Sequence, residues 1–126
     1  MQTTSATVRS RYSAYALGLT NHIIDTTSTT NADRLKPRDR ATWKEDLEKE
    51  LKQADKFIGC NILSVGYEGP KLENKPVVKF RAMFERVEEG GRWSFDELSS
   101  FVETEDENFR YLYDGGDILT SSGVAE

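Results

Sequence analysis

The sequence predicts an α+β domain in which helices come first and an antiparallel sheet follows. Three observations predict it. Apolar residues recur at helical spacing as far as residue 54. From residue 57 the apolar period changes to two, and short turn segments carrying Gly and Asn then separate the apolar runs so closely that consecutive strands must be antiparallel neighbours. A chain of 126 residues builds one core and buries roughly two-thirds of the surface its unfolded form exposes. With 37% apolar and 31% charged residues, that core leans on six Phe, five Tyr and two Trp. Aromatic side chains are therefore expected to line any cavity.

The first helix is expected to start at Thr3, Thr4 or Ser5, whose hydroxyls suit an N-cap, and to present Val8, Tyr12, Tyr15 and Leu19 on one face. Gly18 suits its stop. Thr20 or Asn21 can cap a short second helix carrying Ile23 and Ile24, and the polar run of residues 26–33 ends it. Pro37 and Asp39 precede a third helix with Trp43, Leu47, Leu51 and Ala54 on its apolar side. Its other side carries Glu45 with Lys49 and Glu48 with Lys52 at supportive four-residue spacing.

Residues 57–67 read as the first strand, and residues 68–76 supply Gly, Pro and Asn for the connection. The next strand alternates Val78, Phe80, Ala82 and Phe84 against Lys79, Arg81, Met83 and Glu85, so one face is buried and the other wet. Glu89, Gly90 and Gly91 form a hairpin turn into residues 92–104, and residues 105–107 form a second turn into residues 108–114. All 126 residues form a single domain with an ordered core from about residue 4 to residue 117, the tail being small, polar and flexible.

Cys60 is the one cysteine and His22 the one histidine, which excludes a disulfide framework and zinc sites built from Cys and His clusters. A buried inert thiol and a surface or capping imidazole are the expected roles. Walker, Rossmann and Gly-x-Ser-x-Gly patterns are absent, and no cofactor is implied. No apolar leader or spanning run occurs, so the expectation is a cytoplasmic protein without a membrane partner. Residues 1–44 hold seven basic and three acidic groups, while residues 85–107 hold two basic and nine acidic. The basic cluster of residues 34–44 surrounds a single aromatic on a chain of net charge −5, and nucleic acid is not an expected partner.

Arg9-Ser10-Arg11-Tyr12-Ser13-Ala14-Tyr15, the strand Glu97-Leu98-Ser99-Ser100-Phe101, and Tyr111-Leu112-Tyr113-Asp114-Gly115 together carry a family resemblance. The sequence resembles the YchJ-like proteins, a bacterial family of uncharacterised function whose core domain has the NTF2-like (cystatin-like) cone fold. The resemblance implies N-terminal helices packed on the concave face of a curved antiparallel sheet, with a pocket between them. It departs from the family in lacking the flanking zinc-binding SEC-C segments. Asp96 stands where the family carries a histidine, Thr26-Thr27-Ser28 replaces a Thr-Trp-His segment, and Phe109 and Arg110 stand where a Trp is expected.

Within such a cone the residues nominate Arg11, Tyr12, Tyr15, Glu97, Ser99 and Tyr111 as pocket residues. Trp93, Phe95, Glu97, Ser99 and Phe101 share a strand face by alternation, so Glu97 points inward and needs a donor, for which Arg11 or Arg9 is the expected ion-pair partner. Two readings stay open: a structural network that fixes the first helix on the sheet, and a pocket in which Glu97 or Asp96 acts as a general base. The expected function is a small-ligand-binding or protein-interaction module, with a cofactor-independent lyase or isomerase as the alternative. A homodimer is expected through the outer sheet face, where Met83 is taken as exposed.

Overall fold

The computed structural model describes residues 3–53, 55–68, 75–86, 90–106 and 108–124. Ala54, most of the connection between the first two strands, Glu89 and Glu107 lie outside them. Three helices, α1 (Thr4–Leu17), α2 (Thr20–Asp25) and α3 (Arg40–Gln53), precede four strands, β1 (Lys56–Glu68), β2 (Lys75–Glu85), β3 (Arg92–Glu103) and β4 (Tyr111–Val124). The strands form one antiparallel meander in the order β1-β2-β3-β4.

Helix α1 begins where the Thr3 hydroxyl accepts from the Ala6 amide at 3.1 Å and ends at Gly18, whose φ of 72° is open to glycine at little cost. Its buried stripe is Thr4, Thr7, Val8, Arg11 and Ala14, not the Val8–Tyr12–Tyr15–Leu19 line. Tyr12 and Tyr15 flank that stripe half-buried, and Leu19 is 50% exposed, because the chain leaves the helix at Gly18 before Leu19 can continue the face. Leu19 instead occupies the N-cap position of α2, with no side-chain cap from Thr20 or Asn21. Ile23 and Ile24 are buried as expected. Asp39 caps α3 by accepting from the Thr42 amide at 2.8 Å, and Trp43 and Leu47 are buried.

Two apolar clusters result. Val8 of α1 meets Val78, Phe80, Ala82 and Phe101 on the concave side of the sheet, while Ala14, Ile23, Ile24, Trp43 and Leu47 join the three helices. The basic loop before α3 closes on the second cluster. Arg34 and Arg38 lie over the Trp43 ring at 5.8 and 5.6 Å, Arg38 pairs with Asp46 and Asp33, and Arg40 pairs with Asp25. These cations serve packing between elements.

Two segments depart from the expected layout. The polar run after α2 is not a solvated loop: Thr26, Thr27, Ser28 and Asn31 are buried. Thr27 forms a parallel bridge with Tyr113, the Tyr113 amide donating to Thr26 and the Ser28 amide to Tyr113, which covers part of the free edge of β4. The C-terminal tail, expected to fray after residue 117, pairs with β3 as far as Val124 opposite Arg92. The backbone groups along β3 supply partners that override the weak strand preference of Thr120–Gly123. None of the described helices is long and apolar enough to cross a membrane.

Candidate functional site

A cavity of about 430 Å³ opens between α1 and the sheet, within the range of small-molecule sites. Its walls are mainly aromatic. Tyr12 sits at 4.9 Å from Phe80 and 5.2 Å from Phe57, ring centre to ring centre, and Phe84 stacks on Phe95 at 5.6 Å. Five of the six sequence-nominated residues, Arg11, Tyr12, Tyr15, Glu97 and Ser99, line this cavity together. Tyr111 does not. It lies at the first residue of β4, beside Thr3 and Thr4 at the start of α1 and under the Arg110 guanidinium.

Alternation along β3 places these groups. Phe95, Glu97, Ser99 and Phe101 face the cavity, and Asp96 faces the other side of the sheet. There Arg81, directly opposite on β2, grips Asp96 with two hydrogen bonds of 2.7 and 3.1 Å. Asp96 is therefore withdrawn as a pocket base; the Arg81 hydrogen bonds hold its carboxyl below the usual carboxylate range. Met83 on that outer face is half-buried rather than exposed, its terminal methyl lying over Gly59.

The expected Arg–Glu ion pair is not formed. Arg11 is 5% exposed, and its Nη1 donates to Thr26 Oγ1 at 2.8 Å, the Ile23 carbonyl at 3.0 Å and Thr27 Oγ1 at 3.1 Å. Its guanidinium stacks on the Tyr113 ring at 4.4 Å. All of these partners are neutral, so Arg11 ties α1 to the segment after α2 and to β4. Glu97 instead accepts from Ser99 Oγ at 2.5 Å. Burial pushes the Glu97 carboxyl above its ordinary range, against the opposing pull of the Ser99 hydrogen bond and the Arg11 charge. Burial, then the charge of Glu97, also raises Tyr12 and Tyr113, which stay protonated hydroxyl donors.

Tyr113 is the residue that sequence reasoning missed. It lies opposite the core residue Phe101 in the β3–β4 register, lines the cavity and carries Arg11 on its face. The signal was present in the Tyr-x-Tyr spacing, which puts both rings on one side of the strand; what decides between them is where α1 crosses. Asp114, next in sequence, fastens the same region. It accepts from Ser28 at 2.6 Å, from Thr30, and from Lys75 at 2.8 Å. Burial works against its ionisation, but these hydrogen bonds outweigh it and hold the carboxyl at about 2.

Cys60 packs against the sheet core half-buried, and burial raises its thiol to about 11, far from a reactive thiolate. The His22 ring is 3.0 Å from Ser10 Oγ, between α2 and α1. Among the described residues no group of three His, Cys, Asp or Glu side chains is placed to hold a metal ion.

The family model described as YchJ, middle NTF2-like domain, matches residues 3–115. That span contains all three helices, the first three strands and the part of β4 that faces the cavity. No curated protein matches the chain, and no solved structure matches it.

Proposed function

The chain belongs to the family of YchJ middle NTF2-like domains, and on that premise we propose that it is a binding module for a small, largely apolar molecule held between α1 and the sheet. The observation that carries this reading is the cavity itself: about 430 Å³ walled by aromatic rings, with the Glu97 carboxyl, the Ser99 hydroxyl and the Arg11 guanidinium converging on it. A few fixed polar groups in an apolar cavity are the usual design of a small-molecule site. The test is native mass spectrometry of protein purified gently from its own cells, with denaturing analysis to identify what is released. A stoichiometric small molecule, displaced when Ala16 at the cavity wall is replaced by Trp, supports the reading. Empty protein that also shows no thermal shift across a fragment library refutes it.

A second reading is favoured by one specific feature, the raised Glu97 carboxyl beside tyrosine hydroxyls that keep their protons. Glu97 would take a proton from a carbon acid while Tyr12 or Tyr113 donates to the developing oxyanion, a lyase or isomerase chemistry without a cofactor. Turnover abolished in Glu97→Gln with ligand affinity retained would support it over simple binding.

The reading extends to a cytoplasmic homodimer paired through the sheet. Apolar side chains stand exposed on the two edge strands, Ile58 and Leu63 on β1 and Ile118 and Leu119 on β4, and burying them against a second copy is the favourable step. Sedimentation at rising concentration measures this, and a monomer throughout removes it.

A further inference from the structure

The charges in the cavity narrow the chemistry of its ligand, an inference that rests on the cavity being a binding site. Arg11 brings a cation to the wall and Glu97 a carboxyl group; Asp55 and Lys56 also line the cavity, Asp55 accepting at 2.7 Å from the indole N–H of Trp93, four residues along β3 from Glu97. The hydrogen bonds described for Arg11 run to two threonine hydroxyls and a carbonyl, and that described for Glu97 comes from a serine hydroxyl. No ion pair among the described residues neutralises either group.

Glu97 is also held in place. Gly116 of β4 leaves the space in which the Glu97 side chain lies; a methyl group at residue 116 would overlap its carboxyl. The acceptor is thus laid along the β4 backbone, where the Ser99 hydroxyl donates to it at 2.5 Å.

Each class of ligand meets these two groups differently. A cationic ligand finds Glu97 but is repelled by the buried Arg11. An anionic ligand finds Arg11 but is repelled by Glu97. A hydrocarbon desolvates both and pairs with neither, which is costly for charged groups. A planar neutral group with a carbonyl oxygen on one side and an N–H on the other satisfies both at once.

We propose that the ligand carries a carboxamide or lactam on an apolar ring, the carbonyl oxygen accepting from Arg11 and the N–H donating to Glu97. The ring lies against Tyr12, Phe57, Phe80 and Phe84, the aromatic side chains that wall the cavity.

The test is a titration of the full ¹⁵N-labelled chain at about pH 8, where the carboxylate is favoured, with four probes of one shape: benzamide, benzoate, benzylammonium and toluene. Benzamide is expected to shift amides of α1 and β3 around the cavity with a Kd about tenfold or more below the other three, the worth of one hydrogen bond to a charged group. In Glu97→Gln, which keeps the shape and removes the charge, benzoate is expected to gain about tenfold on benzamide because Arg11 then faces it unopposed. A charged probe or toluene that binds the wild type as tightly as benzamide overturns the amide assignment and leaves the cavity standing as a site. An unchanged benzamide-to-benzoate ratio in Glu97→Gln overturns the assignment as well. If none of the four shifts cavity residues, both the assignment and the binding reading fall.

Discussion

Asp96 and Glu97 are adjacent acids on one strand, and they differ in the face they occupy, in their partners and in the ease with which they ionise. Asp96 faces the outer side of the sheet, where the Arg81 fork lies directly opposite and favours its ionised form. Glu97 faces the concave side, where burial disfavours ionisation and the Ser99 hydroxyl donates to it at 2.5 Å. The pleat alone produces the contrast: successive side chains point to opposite faces, and only one face is roofed by a helix. An acid with a matched cation is structural polarity; an acid beside aromatic rings without one is a group whose charge a ligand can change.

Breaking the roof should have the largest effect. Arg11→Met removes three hydrogen bonds to Ile23, Thr26 and Thr27 and the stacking on Tyr113, leaving two buried threonine hydroxyls without the donor they accept from, while the Ile23 carbonyl keeps the Thr27 hydroxyl at 2.7 Å. The expected loss is about 3 kcal/mol, read as a lower urea midpoint. The same change should raise Glu97 further, since the Arg11 charge is one of the influences holding it down. A variant as stable as wild type would show that the buried guanidinium is not what joins α1 to the rest.

Next comes the clamp on the far side of Tyr113. Asp114→Ala strands the hydroxyls of Ser28 and Thr30, of which Ser28 is 2% exposed, for an expected cost of about 2 kcal/mol. The Lys75 contribution is the smaller part, because that lysine is half exposed. The wild type should show the matching pH dependence. Asp114 is depressed from its ordinary 3.8 to about 2, so its stabilisation is present above 3.8 and is lost as pH falls toward about 2. Wild type and Asp114→Ala should therefore converge in acid, and midpoints that stay a constant distance apart would sink the assignment.

What the sequence made legible follows the strength of each local signal. The α3 stripe of Trp43 and Leu47, the β2 alternation through Val78, Phe80 and Ala82, and the inward direction of Glu97 were all readable from spacing. The α1 stripe was misread because its centre is Thr7, Arg11 and Ala14. A hydropathy pattern cannot assign an arginine to the inside unless the acceptors are known, and these lie 12 to 16 residues away in a segment that itself looks like a solvated loop. The two errors are one: Arg11 and the Thr26–Thr27 pair each make sense buried only in the presence of the other. The tail of β4 was unreadable for a related reason, since Thr, Ser and Gly become a strand there through the pairing that β3 offers.

The smallest and sharpest prediction returns to the two adjacent acids. For Glu97 the folded carboxyl is raised above its ordinary 4.5 by burial, so its favourable contribution is complete below 4.5 and is lost as pH rises through the raised value. Glu97→Gln escapes that loss, and its stability should gain on wild type as pH increases. For Asp96 the sign reverses. Its folded carboxyl is depressed below 3.8 by the Arg81 hydrogen bonds, so its contribution is present above 3.8 and fades as pH falls through the depressed value. Asp96→Asn should therefore trail wild type at neutral pH and catch up in acid. Urea midpoints of the three proteins from about pH 3 to about pH 8 measure both trends in one series. Differences from wild type that run the same way with pH in both variants would mean that the two faces of β3 offer similar surroundings, and the roof over Glu97 would then lose its meaning as the wall of a site.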